Sequence, residues 1–94
     1  MPNNDPQQVK SLARGLNILL ALAQQPHGLS LADLSRAIDL APSTVHRLLQ
    51  TLESLRFVRE SAAGLWQVGV ASFEMGSAFF VARDWVGDLH TALV

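Results

Sequence analysis

The sequence predicts a mainly α-helical domain carrying one small β-hairpin, and three observations point that way. Apolar residues recur at helical spacing through residues 12–55, two short alternating β-prone stretches follow, and helical spacing then resumes from Val70. With 94 residues the chain has room for one compact unit and not for two with separate cores. It is 49% hydrophobic and only 16% charged, with a mean hydropathy of +0.22, too apolar for a disordered chain. Part of that apolar surface is expected to face a partner. The absence of cysteine excludes disulfide scaffolds, thiolate zinc sites, iron–sulfur clusters and thiol nucleophiles.

Each element has its own signals. Met1 to Gln8, with two prolines, two asparagines and two glutamines, has nothing to bury and reads as a disordered arm over 1–8. Ser11 is expected to cap a first helix running from Leu12 to Gln25. Along it Leu12, Leu16, Leu19 and Ala23 form one stripe, Ile18 and Leu22 a second, and Leu20 a third, so the helix calls for contacts on more than one side. Pro26-His27-Gly28 stops it. Ser30, with Asp33 three residues on, forms a capping box for a short second helix that ends near Ile38 and turns Leu31, Leu34 and Ile38 inward.

Asp39-Leu40-Ala41 makes a tight turn, and Pro42 suits the first position of a third helix, where its missing N–H costs nothing. That helix is expected to reach about Leu55. Val45, Leu48, Leu49, Leu52 and Leu55 gather on one side of it, and Ser43, Arg47, Gln50 and Ser54 centre on the other, flanked by His46 and Thr51. Phe57 to Glu60 and Leu65 to Val68 then alternate around Ser61-Ala62-Ala63-Gly64, a hairpin with a small tip that Gly69 closes. From Val70 to Val81 a nearly all-apolar helix follows, and Asp84 is expected to cap a further helix through Val94.

Charge is distributed unevenly. The net value is −1 with an isoelectric point of about 6.2, which argues against holding a polyanion by bulk charge. Residues 9–60, however, set Lys10, Arg14, Arg36, Arg47, Arg56 and Arg59 against Asp33, Asp39, Glu53 and Glu60, a surplus of two positive charges. The acidic surplus lies behind them, in residues 61–94.

Two short helices joined by a tight turn, the second with a polar outer face and followed by a hairpin, form a winged helix-turn-helix with a linker helix behind it. The chemistry of such an arrangement is recognition of duplex DNA. Ser43, Thr44, His46, Arg47, Gln50 and Thr51 are the candidate DNA contacts of the third helix, with Arg56 and Arg59 as phosphate clamps flanking the wing. Arg47 and Gln50 are the best candidate base readers, because an arginine grips guanine and a glutamine grips adenine through two hydrogen bonds each. His46 sits at the margin of the face, where an intramolecular hydrogen bond is as natural as a DNA contact. Arg14 is read evenly as a clamp or as an ordinary surface charge. The apolar excess points to a homodimer, with Leu16, Ile18, Leu22, Phe73, Gly76 and Phe80 at the contact and Gly76 permitting close helix approach.

The strings Ser11-Leu-Ala-Arg-Gly-Leu-Asn-Ile-Leu19, Leu29-Ser-Leu-Ala-Asp-Leu34 and Ala41-Pro-Ser-Thr-Val-His-Arg-Leu-Leu49 resemble the N-terminal DNA-binding domain of the IclR family of bacterial transcriptional regulators. Gly64-Leu-Trp-Gln-Val-Gly69 and Phe73-Glu-Met-Gly-Ser-Ala-Phe-Phe80 resemble its second wing strand and interdomain linker helix. The resemblance implies a regulator domain over 9–69, a linker helix over 70–83, and at 84–94 the start of an effector-binding domain otherwise absent. It further implies dimers on a pseudo-palindromic operator, and a small-molecule effector reached only through the absent domain. Family members often carry glycine at the position of Asp39, a residue that tolerates the left-handed turn less well.

Other function classes fare worse. His27, His46 and His90 are scattered, Asp84 and Asp88 lie one helical turn apart, and no glycine-rich phosphate loop occurs, so neither an enzyme, a metal site nor a cofactor is expected. The longest apolar run, Ile18 to Ala23, is far short of a membrane span, and the chain is expected to be soluble and cytoplasmic. The rival reading is a winged helix used for protein–protein contact and dimerisation without DNA, favoured by the low isoelectric point and the scarcity of lysine.

Overall fold

In a computed structural model, residues 7–81 are described, and they form four helices and a two-stranded hairpin. The expectations for the arm over 1–6, for Ala82 and Arg83, and for the segment 84–94 lie outside these residues. Helix α1 spans Lys10–Ala23, α2 Leu31–Ile38 and α3 Pro42–Ser54; strands β1 Val58–Glu60 and β2 Trp66–Val68 follow, and α4 spans Val70–Val81.

Helix α1 begins two residues before the expected start. Its N-cap is Val9, which offers no side-chain acceptor, and Ser11 lies inside the first turn instead of capping it. The three stripes of α1 then part company. Ile18 and Leu22 are fully buried, at 0% exposure, whereas Leu12, Leu16 and Leu20 stay more than half exposed. Ile18 and Leu22, expected at a dimer contact, are therefore core residues of the chain itself. They pack with Leu34 of α2, Val45 and Leu49 of α3, Val58 of β1 and Trp66 of β2. Each fully buried aliphatic side chain of this kind contributes about 1.5–3 kcal/mol of hydrophobic stabilisation.

The α2–α3 turn is closed by local hydrogen bonds. The Ser30 hydroxyl accepts from the Asp33 amide at 3.1 Å, while the Asp33 carboxylate pairs forward with Arg36. At the other end Asp39 adopts the left-handed conformation, φ 57° and ψ 52°. The Leu40 amide returns to the Ser35 carbonyl at 3.1 Å, and the Ser35 hydroxyl, itself buried, donates to the Leu40 carbonyl. Ala41 is extended, as the residue before a proline is, and Pro42 opens α3. Among the expected inner residues of α3, Leu55 is exposed; it is the C-cap, where the helical wheel no longer applies.

The strands pair antiparallel with Val58 opposite Val68, Arg59 opposite Gln67 and Glu60 opposite Trp66. A third piece joins them. Leu29, in the lead-in to α2, forms an antiparallel bridge with Trp66 through two backbone hydrogen bonds of 3.0 and 2.8 Å. Gly28, with φ 103°, permits this approach, since a Cβ there would stand 2.9 Å from the Leu65 Cβ and from the Trp66 carbonyl oxygen.

Helix α4 is attached through its first turn. The Gly69 amide donates to the Phe57 carbonyl at 2.7 Å, the Ala71 amide to Arg56 at 2.9 Å, and the Ser72 hydroxyl to Phe57 at 2.9 Å. Beyond that turn the side chains are mostly apolar, with Glu74 and Ser77 the polar exceptions, and none of the helix's residues is buried. No helix among the described residues is long and apolar enough to cross a membrane.

Candidate nucleic-acid interface

Helix α3 divides sharply between an inner and an outer face. Val45 and Leu49 are buried, Leu48 and Leu52 pack partly against the same core, and Ser43, His46, Arg47, Gln50 and Thr51 are all exposed. The structure thus brings five of the expected contacts onto one surface, with Thr44 half-buried at its margin. No side chain caps the start of α3, so the amides of Ser43 and Thr44 point outward beside the hydroxyls of the same residues. Thr51 donates its hydroxyl to the Arg47 carbonyl at 3.4 Å, and the Arg47 guanidinium has no ion-pair partner among the described residues.

The remaining two expected contacts sit elsewhere. Arg59 is exposed on β1 of the wing, pointing away from buried Val58 as strand alternation requires. Arg56 lies at the α3–β1 turn with φ 68°, and its guanidinium stands 4.0 Å from the Glu74 carboxylate of α4. It therefore belongs to the junction with α4 and is separate from the α3 face. The pair is exposed on both sides and contributes little to stability.

Four cations lack an ion-pair partner among the described residues: Lys10, Arg14, Arg47 and Arg59. Two of them meet. A shallow, open groove between α1 and α3 is lined by Ser11, Arg14, Thr44, Arg47, Leu48 and Thr51. Ser11 was expected to serve as a cap and Arg14 carried no firm role. The signal that finds them is the spacing of Lys10 and Arg14, one helical turn apart and on the side of α1 away from its exposed leucines.

Of the expected dimer contacts, Leu16 on α1 and Phe73, Gly76 and Phe80 on α4 are exposed. The rings of Phe79 and Phe80 meet edge to face at 6.1 Å, and a Cβ added at Gly76 would meet no other part of the described chain within 4 Å. No group of three histidines or acidic residues that could hold a metal ion occurs among the described residues.

A family model for the IclR helix-turn-helix domain matches residues 11–62. The chain is 37% identical over 87 residues to the transcriptional repressor IclR of Escherichia coli, covering 92% of this chain and 32% of that protein. It is 40% identical over 76 residues to the HTH-type transcriptional repressor AllR of Klebsiella pneumoniae, covering 80% of this chain and 28% of that protein. The chain thus spans about a third of the length of the curated relatives it matches. Among solved structures it resembles an IclR family transcriptional regulator from Brucella abortus with a TM-score of 0.74 and 30% identity, over 89% of this chain and 32% of that one.

Proposed function

This chain belongs to the IclR helix-turn-helix family, and from that premise we propose that it is a sequence-specific DNA-binding domain of a transcriptional regulator. Helix α3 enters the major groove, the β1–β2 wing lies on the backbone, and two copies bind a pseudo-palindromic operator. The observation that carries this reading is the outer face of α3: a cluster of hydroxyl, imidazole, amide and guanidinium groups, exposed and backed by a rigid core. Base edges are read by Arg47 and Gln50, while Ser43, Thr44 and Thr51 hold phosphates. His46 stands at the edge of the same face, and Arg59 reaches the backbone from the wing. Arg56, beside α4, contributes from the periphery.

The pairing of two copies falls to the exposed leucines of α1 and the aromatic residues of α4. Leu16, Phe73, Gly76 and Phe80 remain in that interface, and Ile18 and Leu22 drop out of it. Residues 9–69 act as the DNA-binding unit and the helix from Val70 as a linker. An effector acts through a further domain of the kind that completes the relatives.

The test is selection of the chain against random-sequence duplex DNA, repeated with Arg47→Ala and Gln50→Ala. The expected outcome is a pseudo-palindrome whose positions relax in the two variants, each losing about 1–3 kcal/mol of discrimination at the bases it reads. Recovery of single half-sites would remove the pairing and keep the recognition. Absence of enrichment at low salt would overturn the DNA reading in favour of a protein-docking winged helix.

A further inference from the structure

We propose that Ser11 and Arg14 of α1, facing Thr51 across the groove between α1 and α3, seat one phosphate group of the DNA backbone and so fix the register in which α3 is presented. The inference rests on the reading of α3 as the DNA-contacting element and extends it to a helix that the helix-turn-helix motif itself does not include.

The composition of the groove is the first argument. The residues lining it include two arginines, Arg14 and Arg47, and two hydroxyl residues, Ser11 and Thr44, whose side chains have no hydrogen bond of their own among the described residues. A third hydroxyl, that of Thr51, donates to the Arg47 carbonyl, and no carboxylate lines the groove. Hydroxyls and a planar guanidinium fork are the donors that match phosphate oxygens. The charge arrangement is the second. Arg36 and Arg56 each stand beside an acidic side chain, yet the two arginines that converge on this groove have no such partner among the described residues. An anion seated in the groove supplies the counter-charge that both lack.

Position is the third. Thr44, Arg47 and Thr51 belong both to the groove and to the outer surface of α3, so a backbone entering the groove is continuous with a duplex held against α3. The groove is open, and a phosphate still attached to its strand has access. The amides of Ser11 and Leu12, in the uncapped first turn of α1, add partial positive charge at the same end. Leu12, Leu16 and Leu20 lie on another side of α1, so this seat and the pairing of two copies do not compete for surface. Arg47 forms the wall between the seat and the base edges, and Arg14 is the residue whose charge serves the backbone alone.

Titration of a selected and a scrambled duplex over a series of salt concentrations tests the seat, using the whole chain and the variants Arg14→Ala, Arg14→Lys and Ser11→Ala. Arg14→Ala is expected to weaken both duplexes by the same factor, about tenfold, and to reduce the slope of log affinity against log salt by about one, with the selected base preferences unchanged. Arg14→Lys keeps the slope and recovers part of the affinity, because charge is retained and the fork is lost. Ser11→Ala weakens both duplexes modestly without changing the slope. A variant Arg14→Ala that melts like the parent and retains its salt slope would overturn the seat while leaving the reading of α3 intact. If the parent chain binds neither duplex, the reading of α3 fails, and the seat with it.

Discussion

At the scale of single residues, α1 shows how one helix keeps its core and its outer surface apart. Ile18 touches nothing but protein, and Leu16 faces outward from the same helix. Ile18→Ala is therefore expected to cost about 2–5 kcal/mol in urea unfolding, through lost burial and the cavity it leaves. Leu16→Ala leaves the unfolding midpoint of the dilute chain nearly unchanged and reduces self-association in sedimentation. The same pair marks where sequence reading fell short. Periodicity along α1 sets Ile18 and Leu22 apart from Leu16, but it groups Leu19, which packs against the core, with the exposed Leu12 and Leu16. It carries no information on which stripe meets the rest of the fold, so the expected dimer contacts Ile18 and Leu22 prove to be core. The groove shared by Arg14 and Thr51 is illegible for a related reason: the two lie on different helices, and no local pattern brings them together. The exposure of Arg47 and Gln50 on the outer face of α3 is legible because that helix supplies both the inner apolar stripe and its polar complement within a few turns.

At the scale of elements, the ends of helices were less legible than their existence. Helix α4 begins at Val70 as its apolar spacing requires, and α3 ends one residue before Leu55. Helix α1 starts at Lys10 because its apolar interior and tertiary packing outweigh the pull of a serine cap at Ser11. The strands are shorter than their β-prone stretches, since Phe57 and Leu65 pass into the flanking turns. Among the first three helices, α2 alone takes a side-chain cap, and being one of eight residues it depends on it most. Ser30→Ala should cost about 0.5–2 kcal/mol, read as a lower urea midpoint with unchanged slope. Asp39 adds a left-handed residue at the other end of the same helix, where Asp39→Gly relieves strain that the aspartate side chain only partly tolerates. Helix α4 is the opposite case. Its first turn is bonded to Arg56 and Phe57, and its remaining turns rest on no buried contact within the chain.

For the molecule as a whole, the uneven faces imply a division of labour. Cations without acidic partners collect where α1, α3 and the wing meet the outside, and the large apolar side chains collect on α1 and α4. A surface of exposed phenylalanine, methionine and leucine on this scale marks a contact site. The double variant Phe73→Ser, Phe80→Ser is expected to leave binding to a single half-site intact and to abolish the extra affinity for the palindrome, measured by titrating both duplexes at matched salt. The bridge between Leu29 and Trp66 bears on how the molecule comes together in time. The two helices of the helix-turn-helix, α2 and α3, lie within the stretch of chain that this bridge closes, so they can pack on short-range contacts before the wing is in place. The wing, whose strands are only three residues long, takes its position from the lead-in to α2 and not from the hairpin alone. It is tied to the body of the fold both by that bridge and by Val58 and Trp66 in the core. A duplex resting on Arg59, as proposed above, would thus press on a wing braced from behind by the lead-in to α2, so that a load on the tip is carried into the helix-turn-helix itself.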